Sequence, residues 1–258
     1  MARKVERSGR IVEFLRDRNG ASIKELAAET GVSEMTIRRD LEQLRFDNIV
    51  SLVHGAAIYR ANRIAGQDRD YHLTLEKGVS ISEKDRIGRA AAAMIVPGDT
   101  VIIDIGTTTE FVTKHLPQNS AITVLCFTMN ALMRTYNKGI DTLIMGGGYY
   151  HANTQLFVST ETINLIRRIR ATKLFLSAAG VSKELGLTCA NQYEVDVKQA
   201  CIESSLQKIL LVDSKKFDQI RPAYFAPLNK MDMVITDSGV KTEWVQIMEQ
   251  MGIRVITA

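Results

Sequence analysis

The sequence predicts an α/β protein in two parts, a small helical head and a larger domain built on a parallel or mixed sheet. Three observations carry this. From about residue 100, apolar β-branched runs alternate with helix-like stretches, the pattern of a sheet covered by helices on both faces. Most of these runs close on Gly, Asp or Ser, at the strand ends where such sheets hold ligands. Ahead of them, residues 22–44 form two short amphipathic stretches separated by Gly31, the spacing of a helix-turn-helix.

The head can be justified residue by residue. Ser22 is placed to cap a helix, and Glu25 three positions on completes a capping box. Ile23, Leu26 and Ala27 give that helix a buried face. Gly31 supplies the positive φ of a tight turn, and Ser33 caps the next helix. On that second helix Ile37, Leu41 and Leu44 share one face. Met35, Thr36, Arg38, Arg39, Glu42 and Gln43 lie toward the other. An outward stripe of this kind fits a major groove. Arginine reaches guanine edges in bidentate fashion, while Arg, Thr and Ser hold phosphates. The candidate DNA contacts are therefore Ser22, Ser33, Glu34, Thr36, Arg38, Arg39 and Gln43; a plain solvated helical hairpin has the same spacing.

Charge limits how such a head could work. The chain of 258 residues carries a net +4, and residues 1–60 hold 11 Lys+Arg against 9 Asp+Glu. That is no polybasic arm, so affinity for DNA must come from placed contacts and several copies of the head.

Residues 59–74, "YRANRIAGQDRDYHLT", show no sustained periodicity and read as a linker. The expected division is a DNA-binding head at 1–58, a linker at 59–74 and an α/β domain for effector binding and oligomerisation at 75–258. A helix is expected from about Ser82, stopped by the turn Pro97-Gly98-Asp99. The strands expected after it are "TVIIDIG", "AITVLCFT", "DTLIMGGG", "TKLFLSAAG", "KILLVDSKKF" and "DMVITDSG".

Their ends carry the chemistry. Asp104, Gly106, Thr107, Thr108 and Thr109 place a carboxylate, a glycine and three hydroxyls at the start of a helix. Backbone N–H groups there suit a phosphate, and so does ordinary capping by threonine. Gly146 and Gly147 let backbone approach a ligand or simply turn the chain, and Tyr149 after them can line a pocket. Lys215 can meet an anion while Asp213 orients it or a hydroxyl. Three such strand ends in one sheet favour a phosphorylated small molecule. Nothing in the spacing calls for a cofactor. The scattered His54, His72, His115 and His151 lack metal-ligand spacing, as do Cys126, Cys189 and Cys201. No apolar run reaches the roughly 20 residues of a membrane span, and the N-terminus lacks an export core. A cytoplasmic setting is expected.

The segment "VSEMTIRRDLEQL", followed by "HGAA", resembles the DeoR/GlpR family of bacterial transcriptional regulators. The resemblance implies a winged helix-turn-helix, with a wing over Ile49–Ile58 and His54 among the DNA contacts. Leu52 stands where the family usually has a basic residue, and Ala56 where it has a second glycine. This implies a wing that grips the DNA backbone less strongly or differently. "DIGTTT", "GGG", "TCANQYEVDVKQA" and "LLVDSKKFD" are similar to the family's effector domain, itself similar to ribose-5-phosphate isomerase.

The resemblance implies a sugar phosphate effector and adds Asn130, Gly180, Glu194 and Lys198 to the candidate site. "CFTMNAL", "SAAGVS", "GLTCANQYEVDVK" and "IRPA" are nearest to members that govern deoxyribose catabolism, so deoxyribose 5-phosphate is the first candidate. Ala178-Ala179 before Gly180 replaces the acidic residue many members carry there. The implied function is a homo-oligomeric repressor of a sugar or deoxyribonucleoside catabolic operon, binding double-stranded operator DNA. The alternatives are an activator or dual regulator, and a sugar-phosphate isomerase with a DNA-binding tether, using Asp104, Glu194, Lys198 and Lys215.

Overall fold

The computed structural model describes residues 2–18, 21–47, 49–53, 56–59 and 79–258, with backbone alone at 2–5, 16–18, 51, 53 and 58. The chain divides into two compact units, Met1–Ile81 and Ser82–Ala258. Residues 60–78, which contain all but the first residue of the expected linker, and His54 lie outside the described residues.

In the first unit, helices α1 (Ala2–Arg18), α2 (Ile23–Thr30) and α3 (Glu34–Phe46) accompany strands β1 (Ala21–Ser22), β2 (Val50–Val53) and β3 (Ala56–Tyr59). The strands form an antiparallel sheet in the order β1-β3-β2. Local chemistry explains the helix starts. The Ser22 hydroxyl accepts from Glu25 N at 3.2 Å, while Glu25 Oε2 accepts from Ser22 N at 2.8 Å. Gly31 turns the chain at φ +69°, and Ser33 Oγ accepts from Thr36 N at 3.3 Å. Ile37, Leu41 and Leu44 are buried together with Leu26 and with Ile11, Val12 and Leu15 of α1. The β2–β3 hairpin spans the expected wing, and Leu52 packs half-buried against this core.

The second unit is built on seven parallel strands. They are β4 (Thr100–Ile103), β5 (Thr123–Cys126), β6 (Thr142–Met145), β9 (Ala171–Ser177), β12 (Ser205–Leu211), β14 (Met233–Thr236) and β15 (Arg254–Thr257). Their order is β15-β14-β12-β9-β4-β5-β6, with parallel pairing throughout. The six apolar runs marked in the sequence are all in it, and β15 is added at one edge.

Period-two alternation sends neighbouring residues to two separate cores. Ile102, Leu125, Leu174, Leu176, Leu210 and Val234 enter one. Val101, Ile103, Val124, Phe175, Ile209 and Ile235 enter the other. Helix α4 (Ile81–Ala92) and helix α5 (Thr109–His115) cover the second face through Ile87, Ala91 and Val112. Helix α8 (Val195–Glu203) and helix α9 (Thr242–Gln250) cover the first through Val197, Cys201, Trp244 and Met248. Helices α6 (Met129–Tyr136) and α7 (Thr160–Arg168) complete the helical layers.

Two smaller pieces sit among the connections. Strands β7 (Tyr149–His151) and β8 (Leu156–Val158) form a hairpin, and β10 (Gly180–Ser182), β11 (Gly186–Cys189) and β13 (Ala223–Ala226) form an antiparallel sheet. Among the described residues, no helix is long and apolar enough to cross a membrane.

Candidate functional site

The chain presents two candidate surfaces. In the head, Ile37, Leu41 and Leu44 face the core of α3, so Arg38 and Arg39 point to solvent. Arg38 lies 3.9 Å from Glu34 on the same exposed face, a contact too weakly held to compete with a phosphate or base edge. The Ser33 and Thr36 hydroxyls lie 3.0 Å apart at the helix start, where N–H groups suit a phosphate. Gln43 is exposed and reaches Asp47 at 3.4 Å, and Met35 is 71% exposed between Glu34 and Thr36. Ser22 is taken up by its capping box.

Asp40 behaves differently. It sits three positions from Ile37 on the inner face, 1% exposed, and accepts from Arg7 Nε of α1 at 2.5 Å. It ties α3 to α1 rather than facing solvent.

The second site lies where the order of the sheet reverses. The chain runs outward from β4 through β5 to β6, then returns to the other side of β4 with β9 and runs outward through β12, β14 and β15. The crevice at such a switch point, beyond the carboxyl ends of the strands, is where open α/β sheets bind ligands. Asp104 follows β4 and Ser177 ends β9, side by side at that point.

Asp104 Oδ2 accepts from Lys198 Nζ at 2.5 Å and from Ser177 N at 3.0 Å. Lys198 also donates to the Ser177 carbonyl at 3.0 Å, and its ammonium lies 5.1 Å from the centre of the Phe225 ring. Both charged side chains are almost wholly enclosed, 1% exposed for Lys198 and 0% for Asp104. Burial works against the lysine charge, but Asp104 and Glu194 outweigh it and raise its pKa.

Glu194 stands four positions before Lys198, in the short turn that leads into α8. Its Oε1 accepts from Asn191 Nδ2 at 2.7 Å and Asn191 N at 3.1 Å. Burial dominates there and raises the carboxyl pKa, against the pull of Lys198. The group thus combines a fixed cation, a fixed anion and a carboxyl biased toward its protonated form. Asp104 Oδ1 is buried without a hydrogen-bond partner among the described residues, an acceptor free for a hydroxyl.

Gly106 follows in the same turn. A side chain there would meet Ser177 Oγ at 2.3 Å, so glycine is what lets β4 and β9 close together at their ends. Thr107 and Thr108 are buried beside it. The Thr109 hydroxyl is turned into the fold, donating to the carbonyls of Asp104 and Gly106.

The remaining candidates are more widely spread. Asn130 opens α6 beside the end of β5. Gly146 packs on Thr162, where a side chain would meet its methyl at 2.7 Å, while Gly147 has open space. Tyr149 is 81% exposed and, with Gly147, Ser159 and Leu165, lines a shallow cavity of about 470 Å³. Gly180 packs against Thr188 and the Gln219 carbonyl. Asp213 Oδ1 accepts from Lys215 N at 3.2 Å, and the Lys215 side chain is exposed at the end of β12. Strand β9 lies between β12 and β4, so the lysine in contact with Asp104 is Lys198 and not Lys215.

Cys126, Cys189 and Cys201 are buried free thiols. Burial pushes Cys126 and Cys189 up to about 12 and Cys201 well above its usual value, so none is poised as a thiolate. No cluster of three or more His, Cys, Asp or Glu among the described residues could hold a metal ion.

Two family models match the chain: a DeoR-like helix-turn-helix domain over residues 7–63 and the DeoR C terminal sensor domain over residues 79–238. The chain belongs to the DeoR family.

Among its relatives, the deoxyribose operon repressor of Escherichia coli (strain K12) is 30% identical over 98% of both chains. The glycerol-3-phosphate regulon repressor of the same organism is 28% identical over 95% of this chain and 96% of its own. A solved ribose 5-phosphate isomerase A from Methanocaldococcus jannaschii is 13% identical over 52% of this chain and 53% of its own, with a TM-score of 0.38, a likeness too slight to argue from.

In this DeoR-family regulator, Ser177 and Asn191 complete the charged group through their bonds to Asp104 and Glu194. The spacing of Asn191 and Glu194 is that of a capping box and marks a bond that does form. Ser177 carries no local signal, because its neighbour in space, Asp104, lies 73 residues away.

Proposed function

We propose that the chain is a transcriptional repressor that leaves its operator when a phosphorylated sugar binds the sensor domain. The observation that carries this reading is the buried Asp104–Lys198 pair at the switch point of the sheet. A family sensor domain that encloses two opposite charges beside a Gly106-Thr107-Thr108 turn is equipped for a polar, anionic small molecule. The turn and Lys215 hold the phosphate, while Asp104 accepts from a sugar hydroxyl, since a carboxylate does not favour a dianion.

Deoxyribose 5-phosphate is the first candidate, supported by the relative whose name refers to a deoxyribose operon. The operon served is one of sugar or deoxyribonucleoside catabolism, and the setting is the cytoplasm. The head at residues 1–58 reads DNA through Arg38 and Arg39, the segment 59–74 joins it to the sensor, and residues 75–258 sense ligand and assemble copies of the chain. Two or more copies are needed because one small head rarely holds an operator alone. Ligand acts by favouring one arrangement of the heads over another, which requires different affinity for the two.

The test is operator binding to a duplex selected by the protein from a random pool, at fixed salt. Deoxyribose 5-phosphate should weaken binding, other sugar phosphates less so, and free deoxyribose hardly at all. Unchanged operator affinity with every sugar phosphate would overturn the reading. Turnover of pentose phosphates would instead favour an isomerase.

A further inference from the structure

We propose that Gln155, together with Asn130, reads the hydroxyl groups of the effector, at the end of the site away from the phosphate. This rests on the sugar phosphate reading above and names residues that give it its choice of sugar. The turn between β7 and β8 is stitched to the end of β5. The Gln155 carbonyl accepts from Met129 N at 3.1 Å, and the Phe127 carbonyl accepts from Phe157 N at 2.8 Å. Thr128 and Leu156 pair as an isolated bridge between these bonds. Strand β5 in turn lies against β4, with Cys126 opposite Ile103. Phe127 and Asp104 therefore leave neighbouring strands at the same level, and Gln155 and Asn130 flank the end adjacent to the one that carries Asp104.

Three of the buried atoms that lack a hydrogen-bond partner among the described residues belong to residues at these adjacent strand ends: Asp104 Oδ1, Asn130 Nδ2 and Gln155 Oε1. Buried polar atoms are nearly always satisfied, so three at adjacent strand ends point to the chemistry that completes them. Two acceptors and one donor are complemented by neighbouring hydroxyls, each able to give one hydrogen bond and take another. A phosphate, which has oxygens to accept but no proton to give to two acceptors, does not fit this end.

The backbone supports the same conclusion. Gln155 adopts φ +57° without being glycine, a conformation that costs free energy and gathers at ligand-binding positions. The turn is also anchored to the charged group. Asn153 Oδ1 accepts from the Tyr193 hydroxyl at 2.8 Å, and Asn153 Nδ2 reaches Asn191 Oδ1 at 3.5 Å. Asn191 is the residue that holds Glu194. A hydroxyl bound by Gln155 is thereby tied to the turn that holds Glu194.

The experiment measures the affinity of full-length Gln155→Gly, Gln155→Asn and Asn130→Ala for deoxyribose 5-phosphate, with inorganic phosphate as the second probe. Gln155→Gly relieves the left-handed backbone, so its melting temperature should equal or exceed that of the unaltered protein. Its affinity for the sugar phosphate should fall about tenfold, with Asn130→Ala comparable. Gln155→Asn, which keeps an amide and tolerates the conformation, should recover part of the loss. Inorganic phosphate and operator affinity should not move. Variants that bind the sugar phosphate as tightly as the unaltered protein would overturn this inference alone. So would variants that lose melting temperature and both ligands together, since that is a structural role. An unaltered protein that binds no sugar phosphate would sink the function reading along with it.

Discussion

Arg7 and Asp40 join α1 to α3, Nε to Oδ2, across 33 residues of sequence. The carboxylate is 1% exposed and its arginine 18%, so the pair is largely shielded from solvent. Truncating Arg7 to Ala leaves that carboxylate buried without its cation. It should destabilise the head by about 1–3 kcal/mol. Operator affinity should fall evenly across sequences as the head unfolds, with base preference unchanged. Thermal unfolding and binding to a set of single-base operator variants would check both parts.

Arg38 and Arg39 should give the opposite pattern. At least one, replaced by Ala, should cost about 1–3 kcal/mol of operator binding and relax preference at one base position. Its melting temperature should stay the same. If both single variants kept affinity and preference at fixed salt, α3 would not be the reading element.

Removing Lys198 should be severe. Lys198→Met strands Asp104 in a buried site, at a cost of about 3–5 kcal/mol to the sensor domain. Adding Asp104→Asn should restore part of it, because the stranded charge is gone. Denaturant unfolding of the two single variants and the double variant closes the cycle. Costs that simply add would mean the two residues are not coupled.

Asp85 of α4 reaches Lys114 and His115 of α5 at 2.5 Å and 3.0 Å. Burial pushes its pKa upward, but these partners prevail and lower it from 3.8 to about 2. A carboxyl with a depressed folded value adds stability that is fully present above its unfolded pKa. That share should be lost as pH falls from about 4 toward about 2. Asp85→Asn should be less stable at pH 6 and should show a shallower loss through the acid window, as read by urea unfolding at stepped pH.

Much of the head was legible because its signals are local. Ser22 with Glu25, Gly31 and Ser33 each act within three or four residues, so their bonds can be read directly. Asp40 was harder. Its place on the inner face follows from the spacing of Ile37 and Leu41, but the cation it needs comes from a helix with no marked cap. The strands of the sensor domain were legible as apolar runs. Their order was not, since apolar residues on both faces look alike wherever a strand sits. The site depends on that order. Lys198 meets Asp104 from 94 residues away, and only the return of β9 to the other side of β4 brings Ser177 to the pair. Gln155 left no mark at all, because glutamine is not a residue that signals a left-handed backbone, and no local pattern shows that its oxygen goes unpaired.

That long separation bears on the order in which the protein comes into being on the ribosome. The last described strand of the head ends at Tyr59, and domains near the N-terminus fold first during synthesis. The ion pair at the switch point cannot close until Lys198 has followed. A premature stop between Asp104 and Lys198 would leave the head joined to a sensor without its charged centre. Nonsense alleles in that interval would thus make a regulator deaf to its signal, however weakly it still held DNA.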